Sequence, residues 1–149
     1  MLDRFESFVM GVTVCYKCIQ RIKSAEMTEF GLKGTHAMCL FFLHHHEEGL
    51  TAASLCQIAA EDKAAVSRTL ATLREKGYVV SQGSAYRARW HLTDSGREIA
   101  TQVDALIEQW VGSGGDGLSD EERAVFYHAL DHIAKNLRET VDGASPTAE

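Results

Sequence analysis

The chain has 149 residues, 45% hydrophobic and 24% charged, which suits one globular domain with a sizeable core. A single proline, Pro146, leaves the periodic stretches free to be helical, and no run of about 18 apolar residues is present to cross a membrane. The net charge of −6 excludes a uniformly basic nucleic-acid binder, but residues 61–97 hold seven Lys or Arg against four Asp or Glu, so a basic segment sits in an acidic body.

The opening M-L-D-R-F-E mixes charges from its third residue and lacks the apolar block of a signal peptide, so a cytoplasmic protein is expected. A first helix is predicted over about 3–25, where Phe5, Phe8, Val9, Val12, Cys15, Tyr16, Ile19 and Ile22 follow helical spacing. So apolar a stripe at the terminus of the chain predicts contact with another subunit. A second helix, about 35–48, has an apolar centre on all sides (Ala37, Met38, Leu40, Phe41, Phe42, Leu43) and should be buried.

The run T-A-A-S-L-C-Q-I-A-A-E-D-K-A-A-V-S-R-T-L-A-T-L-R-E-K-G-Y-V-V then sets two short helices back to back. Thr51 and Asp62 are the residues to cap them, and Gly77 to stop the second. Two strands, about 78–81 and 87–92, turn around Gly83. Helix, turn, helix and hairpin together predict a mainly α protein, a winged helix-turn-helix over about 35–93 with a two-stranded wing.

A fifth helix starts at Thr93 or Asp94 and carries the stripe Ile99, Val103, Leu106, Ile107 and Trp110, to about residue 112. G-S-G-G-D-G at 112–117 is expected to be a flexible connection. Ser119 and Glu122 form a capping box for a last helix over about 119–138. Residues 1–140 are read as a single domain and 141–149 as a disordered tail.

The predicted reading helix turns Val66, Leu70 and Leu73 inward, leaving Lys63, Ala64, Ser67, Arg68 and Ala71 on the opposite face. Small residues let a helix approach base edges, an arginine can offer two donors to guanine, and Ser67 can bond a base or a phosphate. Arg74, near the helix end, is a candidate for the phosphate backbone. In the wing, Arg87 and Arg89 lie two apart and so share a face, while Trp90 and Leu92 point inward. Both arginines are expected to project to solvent, where a narrow minor groove would attract them.

G-L-K-G-T-H-A-M-C-L-F-F-L, V-S-R-T-L-A-T-L-R-E-K-G-Y-V, L-T-D-S-G and L-S-D-E-E-R, in that order, resemble the multiple-antibiotic-resistance regulator (MarR) family of winged-helix transcription regulators over nearly the whole chain. The resemblance implies a homodimer built from the first and last two helices, about 3–25, 94–112 and 119–138. It also implies binding to a pseudo-palindromic double-stranded DNA operator, and repression relieved by a small-molecule inducer or an oxidant. One departure is plain: family wings usually carry an acid beside the arginine, and G-S-A-Y-R-A-R has none.

Three sensing chemistries are compatible with the residues. An apolar or aromatic ligand would have Tyr16, His36, Met38 and Phe42 as candidate pocket residues, although the same side chains can simply fill a core. His44, and His128 with His132 at i, i+4, are weak metal candidates, because histidines also suit a helix C-terminus or a solvated face. Cys18, with Cys15 beside it in the stripe, is the redox candidate; Cys39 and Cys56 read as small buried residues. No phosphate loop or catalytic triad pattern is present, and Glu47/Glu48, Glu61/Asp62 and Asp120 to Glu122 sit at helix ends. No enzyme and no cofactor is expected. The alternative reading is a winged-helix protein-interaction module without DNA.

Overall fold

The structure is a computed structural model that describes residues 2–28, 30–84 and 87–143. Its elements are α1 (Leu2–Thr28), α2 (Gly34–His44), β1 (Leu50–Thr51), α3 (Ala52–Ala59), α4 (Lys63–Glu75), β2 (Val79–Gln82), β3 (Arg89–Leu92), α5 (Asp94–Gly114) and α6 (Asp120–Gly143). The chain divides into two compact units, Met1–Leu106 and Ile107–Glu149, with the boundary inside α5.

The first unit holds the core. Leu40 and Leu43 from α2 are buried together with Leu55 of α3 and Val66, Leu70 and Leu73 of α4. Ala100 and Val103 of α5 are also fully enclosed. Each such leucine contributes about 1.5–3 kcal/mol by leaving water. Along α1 the burial is confined to the end: Met27 is fully buried, whereas Met10, Val14 and Tyr16 are exposed.

Local chemistry sets the helix-turn-helix. The Thr51 hydroxyl accepts the Ser54 N–H at 3.1 Å and the Asp62 carboxylate accepts the Ala65 N–H at 2.7 Å, capping α3 and α4 as their sequences predict. At the end of α4, Gly77 takes φ +77 while its N–H donates to the Arg74 carbonyl and Tyr78 N–H donates to Leu73. Those two bonds close the helix and turn the chain into β2. Ala60 performs the same turn after α3 at φ 53 without glycine's freedom, its successor Glu61 donating to the Cys56 carbonyl.

The sheet has three strands, not two. Its order is β1-β3-β2, all antiparallel, with Leu50 opposite Trp90 and Val79 opposite Leu92. Two-residue β1 is too short to leave an alternation in the sequence, and it exists because β3 offers it a free edge. The strands of the hairpin are also shifted from the predicted 78–81 and 87–92, and the hairpin residues 85–86 lie outside the described residues.

In the second unit α5 continues through Gly112, Ser113 and Gly114, so half of the expected flexible connection is helix. Each added residue gains a hydrogen bond on a helix already nucleated, which offsets a glycine cost of about 1 kcal/mol. A turn at 115–117 follows, closed by the Arg123 guanidinium donating to the Gly115 carbonyl at 2.7 Å. Ser119 and Glu122 form the reciprocal capping box: Ser119 N–H to the carboxylate at 2.8 Å, Glu122 N–H to the hydroxyl at 3.2 Å. Helix α6 runs on to Gly143, so 141–143 are helical rather than part of a disordered tail; 144–149 lie outside the described residues.

Candidate nucleic-acid interface

Helix α4 presents two faces of opposite character. Val66, Thr69, Leu70 and Leu73 are buried, while Lys63, Ala64, Ser67, Arg68 and Ala71 are exposed. The outward strip therefore sets Ala64 and Ser67 between two cations, Lys63 and Arg68, with Ala71 beyond, a surface with short side chains where a base edge would come closest. No acid lies within the helix until Glu75, and the Asp62 carboxylate is occupied by the Ala65 N–H.

The wing arginines divide. Arg87 is exposed, its N–H donating to the Ser84 carbonyl. Arg89 is exposed as expected, but it is also tied down: its Nη1 donates to the carbonyls of Gly49 at 2.9 Å and Glu48 at 3.3 Å. The reason is the unforeseen β1, which brings the preceding turn alongside β3. Arg74 also has a structural partner, its guanidinium carbon standing 5.9 Å from the centre of the half-buried Trp90 ring. That is within cation–π range.

Behind α4 lies a cleft of about 200 Å³ between α1, α2 and α3. Of the four candidate pocket residues, Met38 and Phe42 line it, and Tyr16 and His36 do not. Tyr16 is exposed on α1. His36 instead serves α2, its Nδ1 accepting the Lys33 N–H at 2.9 Å. Burial, then Lys33, then Lys76 lower its pKa below the ordinary 6.5. The floor of the cleft is apolar (Leu55, Ile58, Val66), and Lys23 and Glu61 lie at its polar side. Burial lowers the Lys23 pKa while Glu61 acts against that shift. Lys23 falls one turn after Ile19 on the apolar stripe of α1, and a cation in that register was the available signal for it.

The sensing residues are largely accounted for by structure. His45 Nε2 meets the Asp104 carboxylate at 2.8 Å, His46 Nδ1 bonds the Phe42 carbonyl at 2.8 Å, and the His44 ring packs edge-on against His45. His128 and His132 are exposed on α6. Among the described residues no three His, Cys, Asp or Glu side chains gather in a way that could hold a metal ion. Cys15 and Cys18 are exposed, so packing within one chain does not explain Cys15. Burial pushes the Cys39 thiol up to about 12, which keeps it protonated and unreactive.

A helix-turn-helix whose second helix is backed by a three-stranded sheet defines a winged-helix protein. Residues 30–89 match the family model described as MarR family, a segment that spans α2 through the start of β3. No curated protein sequence matches the chain. Among solved structures, a MarR-family regulator from Listeria monocytogenes in complex with a 26mer DNA is 16% identical, with a TM-score of 0.83 over 95% of this chain and 97% of that one. A MarR-family regulator from Silicibacter pomeroyi is 23% identical, with a TM-score of 0.73 over 91% and 89%. The S. aureus MepR–DNA complex is 16% identical, with a TM-score of 0.77 over 87% and 97%. At these identities the likeness establishes the fold.

Proposed function

We propose that this chain is a sequence-reading, DNA-binding transcription regulator that works as a homodimer. The observation that carries the reading is the outward face of α4, with Lys63, Ala64, Ser67 and Arg68 exposed on a capped, rigidly backed helix. Two of the similar structures are complexes with DNA, which supports the same use of the fold here. The residues assigned to DNA are Lys63, Ala64, Ser67 and Arg68 in the major groove and Arg87 beside it.

Dimerisation is supported by what each unit leaves uncovered. In α1, Phe8, Val9, Val12 and Ile19 are exposed, and α6 has no buried residue although Val125, Phe126, Leu130, Ile133 and Leu137 lie along it. Apolar faces of that length are unstable in water and need a partner. A two-fold dimer would present two copies of α4 to a pseudo-palindromic site.

The regulator acts as a repressor, and a small molecule in the cleft releases it. The cleft wall includes Ala65, Val66 and Thr69, so an occupant presses on α4 from behind. The test is fluorescence anisotropy with duplex flanking the protein's own coding region against random-sequence duplex, at two salt concentrations. Selective binding that weakens steeply with salt is the expected result. Equal binding to random DNA, or none across a genomic fragment library, would overturn it in favour of a protein-interaction module.

A further inference from the structure

We propose that Arg89 is a positioning residue that holds the helix-turn-helix in its reading posture and makes no contact with DNA itself. The inference rests on the DNA-binding reading above. It starts from the place of β3 in the sheet. The strand pairs with β1 on one side and β2 on the other, and β1 runs directly into α3 while β2 leaves the end of α4. Strand β3 thus touches both the entrance and the exit of the helix-turn-helix.

At the entrance, β1 supplies only two residues, Leu50 and Thr51, to the ladder. So short an edge strand is weakly held by its own backbone bonds. The Arg89 guanidinium reaches past it to the carbonyls of Gly49 and Glu48, adding two charge-assisted bonds just where the chain turns into β1. That turn already sits tight on the sheet. Gly49 has φ +73, and a methyl group there would come within 2.8 Å of the Trp90 carbonyl. At the exit, Trp90, the next residue on β3, carries the Arg74 guanidinium over its ring. Neighbouring residues of one strand therefore grip both ends of the reading element, and the donors of Arg89 point to main-chain carbonyls. Both bonds come from the one nitrogen Nη1 at the far end of the side chain, and a lysine, whose ammonium sits on a shorter and more flexible stem, would hold the two carbonyls less firmly.

The experiment compares full-length wild type, Arg89→Ala and Arg89→Lys in two ways. Amide hydrogen exchange is measured on the free proteins, and duplex affinity as a function of salt. A positioning role predicts faster exchange in β1 and β3 of Arg89→Ala, an intermediate rate in Arg89→Lys, several-fold weaker duplex binding, and an unchanged slope of log affinity against log salt. Loss of a phosphate contact would instead lower that slope by about one. A lowered slope in Arg89→Ala, whatever the exchange does, overturns the proposal, and so does wild-type exchange in β1. Should the wild type itself bind no duplex selectively, the DNA reading falls, while the exchange data still decide whether Arg89 holds the sheet.

Discussion

The Thr93 hydroxyl donates to the Gly77 carbonyl at 2.6 Å, joining the start of α5 to the end of α4. Thr93 N–H also donates to the Tyr78 carbonyl, and its hydroxyl accepts the Gly96 N–H at 3.0 Å. Gly96 completes the joint, because a methyl group there would overlap the Tyr78 carbonyl oxygen. The L-T-D-S-G motif is therefore a clasp between the reading helix and the helix that follows the wing. Two variants test it by urea unfolding. Thr93→Ala should lose about 1–2 kcal/mol as cap and cross-link vanish together. Gly96→Ala should lose about 1–3 kcal/mol or more, since the neighbour in the way is backbone. A Gly96→Ala protein as stable as wild type would mean the clasp is loose.

Stability should also fall with acid at one identifiable residue. His36 is buried with its Nδ1 accepting the Lys33 N–H, and its pKa lies below the ordinary 6.5 because of burial, Lys33 and Lys76. A group whose folded pKa is depressed stabilises the fold fully above its unfolded value. As pH drops below about 6.5, the unfolded chain takes up a proton that the folded one refuses, and stability declines until the folded pKa is passed. The difference in urea midpoint between wild type and His36→Gln should therefore shrink from pH 7.5 to pH 5.5. A difference independent of pH would contradict the assignment.

What could be read from the sequence was mostly chemistry between near neighbours. Thr51, Asp62, Gly77 and the Ser119–Glu122 pair act within three or four residues of themselves, so their spacing declared them. The outward face of α4 was legible for the same reason, because helical periodicity fixes which residues share a side. Arg89 was not, since its partners lie 40 and 41 residues away, in the turn before a strand too short to show a pattern. Tyr16 and His36 lie outside the cleft for one reason: an aromatic ring at helical spacing marks a face without saying what covers it. His36 turned to its own helix start, and Tyr16 remained outside. Lys23 entered the cleft through contact with Gly34, where a methyl group would meet the lysine Cβ at 2.8 Å, an approach no periodicity predicts.

The apolar length of α6 predicts self-association. With Leu130, Ile133 and Leu137 all exposed on one chain of 16.4 kDa, sedimentation equilibrium should return twice that mass. Ile133→Glu or Leu137→Glu would place a charge in the covered face and shift the distribution toward the single chain. These positions lie outside the helix-turn-helix, so circular dichroism of the variants should retain the helical signal at concentrations where the mass halves. A monomeric wild type at tens of micromolar would remove the two-fold operator from the proposed function.

Arg68 offers the most direct test of base reading. It stands exposed in the middle of α4, one residue after Ser67 and a turn after Ala64, so nothing bulky on that strip keeps it from a base edge. A guanidinium there can give two parallel donors to one guanine, whereas lysine can satisfy only one acceptor well. Arg68→Ala should weaken binding to the preferred duplex by about 1–3 kcal/mol and relax preference at one base pair per half-site. Lys63→Ala, at the start of the helix, should weaken all duplexes alike and lower the salt slope by about one, as expected for a phosphate contact. Competition anisotropy against duplexes substituted one pair at a time separates the two effects. If Arg68→Ala loses affinity evenly across every duplex, Arg68 holds phosphate rather than base, and the specificity of α4 must come from its small residues.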